Sequence, residues 1–69
     1  MPALKWTDAQ EIGYQLSEQF KGTDPLSVSF PRLREMVLGL EGFADDPAKS
    51  SEGILEAIQM AWLENTQGD

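Results

Sequence analysis

Sixty-nine residues make one small domain with a thin core, since a chain of this length buries only about 60% of the surface it exposes when unfolded. Cysteine and histidine are both absent, which excludes disulfides, zinc fingers, thiolate-held clusters, thiol nucleophiles and the imidazole general base. Twelve Asp and Glu against five Lys and Arg give a formal charge of −7, a field that repels phosphate backbones and anionic membranes.

The first predicted helix opens at Thr7, where Thr7-Asp8-Ala9-Gln10 fits a capping box, and it ends near Lys21-Gly22. Ala9, Ile12, Gly13, Leu16 and Phe20 fall within about a third of its circumference and make one apolar stripe. After Asp24-Pro25, the residues Leu26, Val28 and Phe30 alternate with Ser27 and Ser29. This period of two suits a short extended segment near 26–30, with a helical turn as the equal alternative. Pro31 takes the first position of a second helix, whose buried face is Leu33, Met36, Val37 and Leu40 and whose stop is Gly42. In the turn-rich connection that follows, Phe43 is the expected anchor into the core. Ser50 or Ser51 caps a third helix with the stripe Ile54, Leu55, Ile58, Ala61 and Trp62, which gives way to a polar tail from Asn65. The fold class is therefore all-α, a single domain over 1–69 with 1–5 and 65–69 as flexible ends.

The carboxylates fall in two groups. On the first helix Asp8, Glu11, Gln15 and Glu18 are spaced by three, four and three residues, so they line one face away from the apolar stripe. A second group comprises Glu41, Asp45 and Asp46, with Glu52 and Glu56 one helical turn apart on the third helix. Oxygen-only donors suit hard cations such as Mg²⁺, Ca²⁺ or Fe²⁺, bound weakly in an exposed cluster, and spacing alone does not name the metal. Asp45-Asp46 lacks the alternating acids of a calcium loop. Both groups have plainer explanations: acids in a helix's first turn favour its dipole, and Asp46-Pro47 starts a turn. Met60 and Leu63 lie opposite the main stripe of the third helix as candidate exposed contacts, whereas Trp6 and Trp62 read as core anchors. Acid–base chemistry between carboxylates needs a cleft that separates their pKa values, which three short helices rarely enclose, so a non-enzymatic role is expected.

Leu4-Lys5-Trp6-Thr7-Asp8, Glu11-Ile12-Gly13, Asp24-Pro25, Phe43 with Asp45-Asp46-Pro47, Ile54-Leu55-Glu56-Ala57-Ile58 and Trp62-Leu63 occur in an order and spacing that resemble the IscX family. These are small acidic accessory proteins of bacterial iron–sulfur cluster assembly, and the likeness covers about residues 4 to 64. It implies a three-helix domain in a winged-helix-like arrangement, weak and transient binding of Fe²⁺ by exposed carboxylates, and docking on the cysteine desulfurase at a surface overlapping that used by bacterial frataxin. The exposed carboxylates compatible with that role, and the candidate metal ligands, are Asp8, Glu11, Glu18, Asp45 and Asp46. The candidate partner-binding residues, read from charge and helix position, are Glu41, Asp45, Asp46, Glu52, Glu56, Met60 and Leu63. Tyr14 stands where more acidic members carry a first-helix acid, while Gly42 and Ala44 thin the acidic run before Asp45, so weaker iron binding is expected.

A generic acidic interaction module with no metal role is the rival reading. DNA binding through a winged helix is disfavoured, because the second helix offers only Arg32 and Arg34. No apolar run approaches the ~20 residues of a membrane span, and Met1–Lys5 lacks the apolar core of a signal peptide. A cytoplasmic monomer is expected. Residues 1–34 balance four acids with four bases, so the whole −7 belongs to residues 35–69, where eight acids face Lys49 alone.

Overall fold

In the computed structural model, residues 3–67 are described, and three helices pack around one core: α1 (Ala9–Gln19), α2 (Phe30–Leu38) and α3 (Glu52–Gln67). Two short 3₁₀ turns, Pro25–Ser27 and Pro47–Lys49, sit in the connections. The only β pairing among the described residues is an isolated bridge between Leu4 and Phe43. They hold no hairpin to serve as a wing, so the all-α, three-helix description stands without the winged-helix detail. No helix among them is long and apolar enough to cross a membrane.

The apolar stripes lie where helical periodicity puts them. Ile12 and Leu16 of α1, Leu33 and Val37 of α2, and Ile58 and Trp62 of α3 are fully buried, with Met36, Leu40, Leu55 and Ala61 close behind. Ala9, Phe20, Phe30 and Ile54 pack at the margin. Each fully buried Ile, Leu or Val side chain contributes about 1.5–3 kcal/mol by leaving water, so the stripes dominate the folding energetics. The helix α1 lies closest to α3 at Gly13, where a Cβ would come within 2.6 Å of the Ala61 Cβ and 2.7 Å of the Trp62 backbone nitrogen. Only a hydrogen fits between these two backbones.

The helix ends depart from the sequence expectation. The capping box at Thr7 does not form. Asp8 is the N-cap residue, and its carboxylate turns back to accept the Lys5 N–H at 2.9 Å while the Asp8 N–H donates to the Lys5 carbonyl. Thr7 is thus held in the preceding turn, one residue too early for its hydroxyl to cap. The helix α1 closes at Gln19, and the chain reverses through Gly22 at φ +88°.

At 26–30 the extended reading fails. Asp24 accepts the Leu26 N–H at 3.0 Å and winds Pro25–Ser27 into a 3₁₀ turn, leaving extended dihedrals only at Val28 and Ser29. Ser29 then caps α2, with Phe30 first and Pro31 second in the helix. The period of two arises from two capping turns in succession, not from a strand. The helix α2 ends at Leu38 with Gly39 as its C-cap, so Gly42 does not stop it. Gly42, at φ +87°, bends the following loop and accepts the Leu4 N–H at 2.9 Å. Ser51 caps α3 through the Ile54 N–H. The last helix runs to Gln67, and Asn65 is half-buried there, donating to the Ala61 carbonyl at 2.8 Å. Of the segments read as flexible ends, Met1, Pro2, Gly68 and Asp69 lie outside the described residues.

Candidate functional site

The Asp45-Asp46 pair belongs to the scaffold before it belongs to any ligand. The chain from Leu4 to Trp6 runs as a strap beside the loop that follows α2. Leu4 exchanges hydrogen bonds with Gly42 and Ala44, and the Lys5 ammonium donates to the Ala44 carbonyl at 2.6 Å. Trp6 completes the strap. Its backbone N–H donates to Asp45 Oδ2 at 3.0 Å, its indole Nε1 donates to the Asp46 carbonyl at 2.7 Å, and its ring meets Phe43 edge-on at a 4.8 Å centroid distance. Asp45 Oδ1 also accepts the Asp46 N–H at 2.8 Å, and Asp46 Oδ1 accepts the Ala48 N–H at 2.9 Å to start the second 3₁₀ turn. Both Asp45 oxygens and one Asp46 oxygen are therefore already engaged.

The Trp6 N–H first, and the Asp46 N–H second, hold the Asp45 carboxyl below its ordinary range against the opposing effect of partial burial. A carboxylate lowered in the folded state stabilises the fold above its unfolded pKa of about 3.9, and that contribution disappears as pH falls through the folded value. Asp45→Asn is therefore expected to lower the melting temperature near neutral pH and to flatten the acid limb of its pH dependence. Melting curves recorded from neutral pH into the acid check this, and an unchanged acid limb in the variant would contradict it.

Along α1 the acids are less free than their spacing suggests. Asp8 caps the Lys5 turn, Glu11 accepts from Gln15 at 3.3 Å, and Glu18 pairs with Lys21 at 3.4 Å. Glu18 also meets the Tyr14 phenol, whose pKa is raised chiefly by that hydrogen bond and next by the charge of the same carboxylate. An open groove of about 490 Å³ runs beside this ridge. Its lining brings Asp8, Glu11 and Glu41 around Ala3, Leu4, Gln15 and Gly42, so the strap forms one wall and acids distant in the sequence meet across it. A second recess, of about 410 Å³, is polar and lies between the ends of α1 and α3.

Glu52, Glu56 and Met60 are exposed on α3, and Leu63 is half-buried. These four residues lie on a different helix from the groove, while Glu41, Asp45 and Asp46, the other three candidate partner-binding residues, lie on the α2–α3 connection. Among the described residues, no group of three or more Asp and Glu is placed to hold a metal ion. Glu11 and Glu18 sit on α1 with Asp8 as its N-cap, and Asp45 and Asp46 are tied into the strap. The oxygen donors suit Fe²⁺ in kind, but they make no enclosed coordination site. Sequence reasoning missed Lys5 and Trp6 as the residues that organise the acidic loop. A Trp just ahead of a helix, whose indole N–H needs an acceptor, was the available signal.

Fold and carboxylates together define a small acidic all-α domain whose carboxylates cap turns, hold the strap or lie exposed on the surface. A family model described as iron-sulphur cluster assembly matches residues 4–67. An uncharacterized protein of Pseudomonas aeruginosa is 52% identical over 62 residues, covering 90% of this chain and 94% of the relative. The chain belongs to the iron–sulphur cluster assembly family of IscX-type proteins.

Proposed function

We propose that the protein is a non-enzymatic adaptor of cluster assembly that docks through its acidic surface on the cysteine desulfurase, overlapping the surface used by bacterial frataxin, and modulates cluster formation. The observation that carries this reading is the family match over residues 4–67. The charge distribution supports it, because acids that are not consumed in caps or ion pairs remain available to steer a basic partner. Such an association weakens with added salt, as exposed charges are screened over about 8–10 Å at physiological ionic strength. Calorimetric binding to the desulfurase is therefore expected at low salt and loses affinity at high salt. No heat of binding at low salt would contradict the proposal.

Iron, on this reading, is weakly held cargo. Anaerobic addition of Fe²⁺ is expected to broaden the amide resonances of Asp8 and Glu11 before those of Asp45, whose oxygens are already occupied. Broadening spread evenly over all acids would instead indicate a counterion cloud. The absence of a three-carboxylate group among the described residues favours the rival on this one point, an acidic interaction module in which metal plays no part. Docking that is indifferent to Fe²⁺ would select it.

A further inference from the structure

We infer that the outer face of α3 is a docking surface for a basic amphipathic helix of a partner protein. The inference rests on the docking reading for the existence of a basic protein partner, and it adds which face receives that partner and what the partner presents. At 100° per residue, Glu52, Leu63, Glu56, Met60, Gly53 and Glu64 follow one another within about a third of the α3 circumference, opposite Ile58 and Ala61, which face the core. Acidic and apolar side chains thus alternate across a straight stripe one helix wide and about 18 Å long.

Three observations show that this stripe lacks an internal partner. Met60 is 52% exposed, Leu63 is only half-buried, and a Cβ at Gly53 would meet nothing within 4 Å, so the apolar part is open along its length. No Lys or Arg lies on α3. Among the described residues the ion pairs are Lys21–Glu18 and Arg32–Glu35, while Lys5 and Arg34 donate to loop carbonyls, so Glu52, Glu56 and Glu64 have no cation within ion-pair distance. Leu26, 63% exposed, extends the apolar surface at one flank, on the 3₁₀ turn that Gln59 ties to α3 through the Pro25 carbonyl at 2.9 Å.

The charge selects the occupant. A second copy of this chain, a nucleic acid or an anionic lipid surface would each bring negative charge against three uncompensated carboxylates. A helix with an apolar strip flanked by Lys and Arg matches both components, and a straight stripe suits a helix better than a globular convexity. Met60 adapts to irregular apolar side chains because its thioether chain is unbranched and flexible. The helix α1 packs on α3 through Gly13 and Ala61, so the carboxylate ridge of α1 faces the other way. A partner helix on α3 leaves that ridge uncovered.

The test is an amide-shift titration of the whole protein with a synthetic helical peptide as long as the stripe, carrying a leucine strip flanked by Lys and Arg, and with the same peptide having Gln at every basic position. Saturable shifts over residues 52–64 are expected from the basic peptide alone. Met60→Ser is expected to weaken its binding about tenfold and Glu56→Gln roughly threefold, and neither exposed side chain is needed for folding. Equal binding of the Gln peptide, or shifts centred on residues 8–18, would overturn the inference. The desulfurase titrated against wild type and against a variant with Glu52, Glu56 and Glu64 all changed to Gln separates the two proposals. Undiminished affinity in that variant overturns the α3 assignment and leaves the docking reading intact. A desulfurase that binds neither protein, with the basic peptide still mapping to α3, overturns the docking reading alone.

Discussion

Gly13→Ala is expected to destabilise the protein although alanine is the better helix former. In an isolated helix the change gains about 1 kcal/mol. Here the new Cβ meets the Ala61 backbone carbon and the Trp62 nitrogen at 2.7 Å and the Ala61 Cβ at 2.6 Å, none of which can rotate aside. Relief requires α1 and α3 to separate along their shared seam, which loosens Ile12, Leu16, Ile58 and Trp62 together. Overpacking of a rigid core costs typically 1–3 kcal/mol, and backbone obstruction places this case at or beyond the upper end, for a net loss of about 2 kcal/mol. In a domain this small that lowers the melting temperature by roughly 10 °C. Gly53→Ala is the matched control. It lies in the first turn of α3 with no atom near its Cβ, and it is expected to gain about 0.5 kcal/mol. Thermal melts of both variants check the pair of signs. A Gly13→Ala protein as stable as wild type would show that the two helices do not meet so closely.

Trp6→Ala is expected to have a larger effect still. The side chain is 2% exposed, it fills the space between α1 and the acidic loop, and it makes the edge-on contact with Phe43. Truncating a buried Trp costs about 3–5 kcal/mol. A chain of 69 residues has a total stability of roughly 3–10 kcal/mol, so the variant is expected to be largely unfolded or close to its midpoint at room temperature. Trp6→Phe separates the contributions. It keeps an aromatic against Phe43 and the backbone hydrogen bond to Asp45, and loses the indole donation to the Asp46 carbonyl together with part of the buried ring volume. An intermediate stability is expected for it in denaturant titration. Equal destabilisation by Ala and Phe would show that the phenyl ring against Phe43 contributes nothing, and that the effect lies in what both variants lose, the indole hydrogen bond and the second ring. The two indoles are not equivalent, because Trp62 Nε1 is buried with no hydrogen-bond partner among the described residues.

The helical core was legible in the sequence because burial against a common centre imposes the 3.6-residue period on each apolar stripe. Leu33, Met36, Val37 and Leu40 were readable from spacing alone, as was the whole α3 stripe. The caps were less so. Thr7 and Asp8 both suit an N-cap, and the choice between them was settled by Asp8 reaching back to the Lys5 N–H, a competition between neighbouring residues that periodicity does not encode. The alternation at 26–30 looked like a strand because Ser27 and the cap Ser29 fall between apolar residues where an Asp24-capped turn is followed at once by a Ser29-capped helix. Burial does not alternate with them, since Leu26 is exposed while Val28 and Phe30 are half-buried. The role of Asp45 was hidden for another reason. Its partner Trp6 lies 39 residues away, and a carboxylate that accepts backbone N–H groups has the same sequence signature as one waiting for a cation. Local pattern therefore does not separate acids that hold the strap from acids that face outward, and the fold does.

That sorting bears on where a partner can act. Asp45 contributes to the fold through the strap, while Glu41 on the groove and Glu52, Glu56 and Glu64 on α3 are free to contribute to recognition. Their charge accounts for much of the excess that residues 35–69 carry. The most direct measurement is an amide-shift titration of the isotope-labelled protein with the cysteine desulfurase at moderate salt, with and without Fe²⁺. The expected result is loss or shift of resonances over Glu41 and residues 52–64, with the strap residues Leu4 to Trp6 retaining their folded positions. A spectrum unchanged at saturating desulfurase would contradict the adaptor role outright.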